Sequence, residues 1–151
     1  MTLTYSSLMD RAWPMIQAGM DTHVRIYRAT GGRVGHRMPG LLPILLVDHV
    51  GARSGKRRTH ALGYLADGDD FVVVASKGGS PRNPGWYHNL RAHPDTTIQV
   101  GSRRFDVHAR VATPDERARL WPKVVEAYGG YADYQRNTER EIPLVIFSPR
   151  V

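Results

Sequence analysis

Residues 59–75 read Thr-His-Ala-Leu-Gly-Tyr-Leu-Ala-Asp-Gly-Asp-Asp-Phe-Val-Val-Val-Ala, and the fold follows from how this stretch is read. Two runs, Thr59 to Leu65 and Phe71 to Ala75, flank the turn Asp67-Gly68-Asp69-Asp70. β-Branched and aromatic residues on both sides of an Asp-Gly turn predict an antiparallel hairpin. Upstream, the apolar run Leu41 to Val47 is bounded by turn residues and predicts a buried strand. The basic turn Gly51 to Arg58 joins it to the hairpin, giving three consecutive strands. Further upstream, Leu8, Met9, Ala12, Ile16, Met20, Val24 and Tyr27 recur at three-to-four spacing, predicting helix over Ser6 to Arg28. Pro14 and Gly19 predict a kink there, or two short helices, and Gly31 to His36 reads as a loop.

Downstream, Asn83-Pro84 has N-cap and N1 residues in the preferred order for a helix carrying Trp86, Tyr87 and Leu90 and ending before Pro94. Thr96 to Val100 and Arg104 to Val111 form a second strand pair around Gly101-Ser102. Thr113-Pro114-Asp115-Glu116 is a capping box with proline at N1. The helix it opens runs through Leu120 and Trp121 toward Tyr128, with a bend expected at Pro122. Gly129-Gly130 breaks it, a short helix is expected over Tyr131 to Arg136, and Ile142 to Phe147 closes the chain as a strand. Strands joined mainly by hairpins, with helices between the groups, predict a mainly β, α+β fold: an antiparallel barrel with attached helices, not a doubly wound sheet. One domain is expected over residues 1–151, with residues 1–28 as its N-terminal helical segment.

A chain of 151 residues buries one sizeable core. With no cysteine, thiolate catalysis and zinc–thiolate sites are excluded. The formal net charge of +7 favours an anionic partner: nucleic acid, an acidic membrane surface, or a phosphorylated or carboxylated small molecule. The opening Met-Thr-Leu-Thr-Tyr has no basic segment followed by an apolar run, so no secretory signal is expected, and no apolar stretch is long enough to span a bilayer.

Three segments are candidates for chemistry. In the turn Gly51 to Arg58, glycines let backbone N–H groups turn inward, and Arg53, Lys56 and Arg58 add charge suited to phosphate, with Ser54 between them. It resembles a P-loop only superficially: Arg57 stands where Ser or Thr holds magnesium, and a strand follows instead of a helix. An exposed basic hairpin tip is the competing reading. The second segment, Ser76-Lys77-Gly78-Gly79-Ser80-Pro81-Arg82-Asn83-Pro84, runs from a strand end through glycines into a helix start, where N–H groups and the helix dipole favour an anion. An ordinary connecting loop explains the same composition. Third, Tyr128, Tyr131 and Tyr134 recur every three residues, as an aromatic wall or as half-buried core. No metal site is expected, since the seven histidines are scattered, and His60 and His108 read as structural or half-exposed. Neither a nucleophile elbow nor a Gly-x-Gly-x-x-Gly fingerprint is present. A binding site without an obvious acid, base or nucleophile suits a cofactor that brings its own chemistry.

Taken together and in order, Gly51-Ala-Arg-Ser-Gly-Lys-Arg-Arg58, Val74-Ala-Ser-Lys-Gly-Gly79, Asn83-Pro-Gly-Trp-Tyr-His-Asn-Leu90, Trp121-Pro122 and Tyr128 to Tyr134 resemble the deazaflavin (F420)-dependent nitroreductase family of actinobacteria. The resemblance covers about Val47 to the C-terminus. It implies a split β-barrel, FMN-binding-like, that holds coenzyme F420, an 8-hydroxy-5-deazaflavin with a phosphate and an oligoglutamate tail. It further implies that the reduced cofactor passes a hydride from C5 to an organic acceptor: a quinone, an activated enone or a nitroaromatic. Arg53, Ser54, Lys56 and Arg58 match the turn that grips phosphate or carboxylates. Ser76, Lys77, Gly78 and Gly79 match the loop beside the deazaflavin, and Asn83, Pro84, Trp86, Tyr87 and Asn89 the helix bordering it. Tyr128, Tyr131 and Tyr134 match the substrate pocket, with Ser76 and Tyr134 as the catalytic hydroxyls. Lys56-Arg57 is more basic than the family pattern.

Other readings are a barrel binding FMN or haem, a basic nucleic-acid-binding module, and a membrane-surface protein without catalysis. Aromatics lie outside the basic turn, so no nucleic-acid partner is expected. A cytoplasmic place of work is expected. Peripheral contact with the inner face of the membrane stays open, because the N-terminal helix of some relatives associates with membranes. A monomer or a homodimer fits, the latter through any uncovered barrel edge.

Overall fold

The computed structural model describes residues 5–37, 39 and 41–150, with side chains from residue 11 onward. Helix α1 (Tyr5–Thr30) precedes strands β1 (Ile44–Val50), β2 (Arg57–Asp67) and β3 (Asp70–Val74). After a single 3-10 turn, Lys77–Gly79, come α2 (Gly85–Ala92), β4 (Asp95–Val100), β5 (Arg103–Val111), α3 (Pro114–Ala127), α4 (Gly130–Arg136) and β6 (Leu144–Pro149).

The strands close into an antiparallel barrel in the order β1-β2-β3-β6-β5-β4. Closure comes from β1 pairing with β4 at Leu46↔Gln99 and Val47↔Ile98. The described barrel therefore leaves no free edge for a second copy to extend.

Two cores share the sheet, and strand periodicity assigns residues between them. Leu45, Val47, Val73, Val145 and Phe147 point into the barrel together with Trp86, Tyr87 and Leu90 of α2, which packs against that interior. Their neighbours Val72, Val74, Leu144 and Ile146 face outward beneath Leu120, Val124 and Tyr131 of α3 and α4. Strands β3 and β6 are thus covered on both faces, so Val72-Val73-Val74 is a continuous apolar run and not an alternating one.

Several boundaries move from the sequence reading, each for a local reason. Strand β1 begins at Ile44, because Pro43 has no N–H for the ladder, and it runs on to Val50 before the turn at Gly51. Pro143 delays β6 in the same way, until Leu144. Helix α1 passes unbroken through Pro14 and Gly19. Tertiary contacts outweigh the local penalties: Trp13 lies 5.1 Å from the Lys77 ammonium, and fully buried Tyr27 donates to Ile44 O at 2.9 Å and accepts from Gly101 N–H at 2.7 Å. The Leu8 and Met9 side chains lie outside the described residues. The capping box forms as read, with the Thr113 side chain accepting from Glu116 N–H and the Glu116 side chain from Thr113 N–H. Asn83, however, is not the N-cap of α2. Pro84 takes that position with extended dihedrals, and the Asn83 side-chain Oδ1 accepts from Arg140 at 2.8 Å.

Candidate functional site

A cleft of about 770 Å³ opens beside the barrel, between α1, the turn after β1 and the start of α2. The turn supplies Arg53, Ser54 and Arg58; the segment after β3 supplies Ser76 and Lys77; Leu62, Val74, Pro84 and Trp86 give apolar surface. Trp13, Gln17 and Met20 line the cleft from α1. A second cavity of about 300 Å³ is lined by Tyr128, Tyr131, Tyr134 and Gly78, with Leu42 and Gly63. Leu62, Val74 and Ser76 line both cavities, so they form one path with Ser76 at the junction. Ser76 is 9% exposed, and its hydroxyl has no hydrogen-bond partner among the described residues.

The basic turn is held by its own backbone. Gly51 N–H donates to Lys56 O and Gly55 N–H to Gly51 O, both at 2.9 Å, with Gly55 in the left-handed region at φ +68°. This arrangement leads into β2, as expected, and leaves residues 52–58 exposed. Arg53, Ser54 and Arg58 reach the cleft lining, whereas Lys56 stands outside it in solvent.

The second loop is built differently. Lys77, at φ +44°, is the one non-glycine with positive φ among the described residues, followed by Gly78 and Gly79 at +63° and +82°. Strain of this kind persists only where surrounding contacts over-determine it. Arg140 provides them: its guanidinium donates to Ser80 O at 2.9 Å, Asn83 Oδ1 at 2.8 Å, Ala75 O at 3.2 Å and Ser76 O at 2.8 Å. A Cβ on Gly79 would lie 2.9 Å from Tyr134 O, so glycine lets the loop close on α4. Gly79 therefore backs the site without lining it, and Asn83 acts through Arg140. Tyr87 is buried in the barrel core, outside the cleft lining, while Pro84, Trp86 and Asn89 line it.

The three tyrosines meet, though not on one helix. Tyr128 caps α3, Tyr131 and Tyr134 belong to α4, and the ring centroids stand 5.0, 6.2 and 6.4 Å apart. Gly130 is required between them, since its Cβ would meet the Tyr128 ring at 2.7 Å. Burial pushes the Tyr131 hydroxyl up to about 12, so it stays protonated and can only donate or accept hydrogen bonds at neutral pH. The hydroxyls of Tyr128 and Tyr134 lie 3.4 Å apart.

The sequence does not point to Arg140, nor to the pairing of His49 with His60, which reads there as structural or half-exposed. Arg140 carries no motif, and its role appears only when the loop folds back on it. His49 and His60 sit together at the cleft, with Nε2 of His49 2.9 Å from Nδ1 of His60 and the rings 5.0 Å apart. Strand parity was the available signal: His49 follows inward Leu45 and Val47, and His60 precedes Leu62 and inward Tyr64 at intervals of two. His108 is exposed, 2.7 Å from Asp95.

The donor set suits an elongated, anionic, partly aromatic molecule: cations at one end, apolar and aromatic surface between, hydroxyls at the other. Fold and cleft together define a split-barrel cofactor-binding protein. A solved structure of a haem storage protein of Vibrio cholerae (14% identity, TM-score 0.53, 72% of this chain and 82% of that one) shares its fold. The family model described as F420H(2)-dependent quinone reductase matches residues 19–149, and the chain belongs to this family. An F420H(2)-dependent quinone reductase of Mycobacterium tuberculosis is 50% identical, over 85% of this chain and 88% of the relative. A solved F420-H2 dependent reductase of the FDR-A group is 41% identical with TM-score 0.65, covering 70% of this chain and 94% of that one. A chain described as a domain-swapped dimer is 36% identical with TM-score 0.68, covering 89% and 99%. The family resemblance drawn from the motifs therefore holds, and it extends upstream of Val47 into α1.

Proposed function

We propose that this chain is an F420H2-dependent quinone reductase whose cofactor lies in the main cleft and whose acceptor enters the tyrosine cavity. The observation that carries this reading is Ser76, a nearly buried hydroxyl with no hydrogen-bond partner among the described residues, where both cavities meet. When bound, the reduced deazaflavin supplies a hydride. Arg53, Ser54 and Arg58 would hold the phosphate and tail carboxylates, with Lys77 a further cation along the cleft and Lys56 acting only at long range. Trp86, Pro84 and Leu62 give apolar surface for the ring system, and Asn89 borders it. The left-handed Lys77-Gly78-Gly79 turn sets the Ser76 hydroxyl toward the junction.

Orientation is the protein's main contribution, since near-attack placement removes much of the barrier. Hydroxyls of Ser76 and Tyr134 would donate to an acceptor oxygen as negative charge develops on it, with Tyr128 and Tyr131 as its aromatic walls. Anaerobic mixing of the protein with F420H2 tests this: oxidation of the cofactor should need a soluble quinone and should slow in Ser76→Ala. Equal rates with and without protein would defeat it.

No described helix is long and apolar enough to cross a membrane. A cytoplasmic place of work with peripheral membrane contact through α1 belongs to the same proposal, supported by Met15 at 80% exposure. Liposome flotation with and without residues 1–28 tests that contact, and light scattering decides between monomer and homodimer.

A further inference from the structure

Beneath the basic turn runs a chain of hydrogen bonds that the reaction above leaves unused. His49 is 2% exposed at the inward end of β1, and Asn89 of α2 lies against it.

The direction of this chain is fixed from one end. A backbone N–H can only donate, and that of Ala52 donates to Asn89 Oδ1 at 2.9 Å. The amide's NH2 group therefore faces His49, and Nδ2 donates to His49 Nδ1 at 2.9 Å. With Nδ1 accepting, neutral His49 carries its proton on Nε2 and donates to His60 Nδ1 at 2.9 Å. His60 Nδ1 accepts in turn, so its own proton sits on Nε2. Both rings are held neutral. Burial is the largest cause, pushing His49 down to about 4 and lowering His60, with Arg58 acting in the same sense on both. Asp48 opposes this at His49, as Asp21 does at His60.

His60 Nε2 has no hydrogen-bond partner among the described residues. The ring lines the main cleft and also a smaller cavity of about 230 Å³ shared with Arg58, Thr59 and Asp21. Were the chain to run the other way, His60 would turn a lone pair toward a site built for an anion. As it stands, the ring offers a directional N–H.

Resting on the cofactor reading above, we propose that His60 is a further cofactor-binding residue, its Nε2–H donating to an anionic oxygen of the deazaflavin cofactor beside Arg58, with Asn89 and His49 as the positioning residues that hold its tautomer.

The test combines 15N NMR of the histidine rings in the free protein with titration of oxidised F420. His60→Asn keeps an acceptor near the Nδ1 position and removes the outward donor, whereas His60→Gln restores an amide donor near Nε2. The inference expects Nε2–H tautomers for both His49 and His60, binding about tenfold weaker in His60→Asn, and recovery of most of that loss in His60→Gln. An Nδ1–H tautomer at His60, affinity within twofold of the parent in His60→Asn, or no recovery in His60→Gln overturns it while the cofactor reading stands. Failure of the unsubstituted protein to bind F420 defeats the cofactor reading and this inference with it, whatever the tautomers. If His60→Asn does not fold, the unsubstituted protein decides: the His60 Nε2 resonance must shift on adding F420, and an unmoved resonance overturns the inference.

Discussion

The two glycine-rich loops that frame the cleft have similar compositions and opposite constructions. Gly51 to Arg58 is exposed and held by two backbone hydrogen bonds of its own, so its arginines are free to follow a ligand. Ser76 to Pro84 is pinned: Arg140 bonds three of its carbonyl groups or their neighbours and Asn83, and Gly79 abuts Tyr134. The first loop contributes charge and the second contributes position. Damage to the first should therefore appear in affinity and salt dependence, and damage to the second in stability and turnover.

The largest test of that contrast is Arg140→Met. Removing the guanidinium leaves the Ala75 carbonyl without its partner and the Ser76 carbonyl with only the Gly79 N–H, so chemical denaturation should register a loss of about 3 kcal/mol, with turnover falling as well. His49 lies under the first loop and gives the next effect, as a pH dependence. Burial lowers its pKa to about 4 in the folded chain, from the ordinary imidazole value of about 6.5. Above pH 6.5 neither folded nor unfolded state is charged there, so the group contributes nothing. As pH falls toward 4 the unfolded chain takes up the proton and the folded one largely does not, so about 3 kcal/mol of stability should be lost across that window. His49→Asn should flatten that part of a stability–pH curve.

Gly79→Ala ranks third. A side chain at φ +82°, with its Cβ 2.9 Å from Tyr134 O, should cost about 1–2 kcal/mol and reduce turnover more than cofactor affinity. Arg58→Ala should do the reverse: about tenfold weaker F420 binding, a shallower salt dependence, and stability within about 0.5 kcal/mol of the parent. The smallest effect belongs to Lys56→Ala, at about twofold in affinity and only at low ionic strength, because its ammonium stands outside the cleft.

The barrel was legible because hairpins write themselves locally, in Asp-Gly turns and β-branched runs such as Phe71 to Ala75. The Thr113–Glu116 box was legible for the same reason, as cap chemistry spans only four residues. The two-helix alternative at Pro14 fails because the contacts that override a local penalty, Trp13 with Lys77 and Tyr27 with Gly101, join residues far apart in sequence. At the site, charge and glycine marked both loops, yet not which side chains line the cleft. Tyr87 and Asn83 sit in the right motif, but helix geometry and Arg140 turn them to core and support. His49 stayed hidden because the apolar run that marks the first strand ends at Val47, and His60, which reads as structural or half-exposed, gains a role only from that partner. Inward parity reaches His49 only once β1 is known to continue to Val50.

The central claim is that one cleft, cationic at one end and hydroxyl-lined at the other, takes a deazaflavin. Titration of the purified chain with oxidised F420 and, separately, with FMN at two salt concentrations addresses it most directly. The account predicts saturable binding of one F420 per chain, weakened by salt and tighter than FMN. Tighter FMN binding, or no saturation by F420, would contradict it.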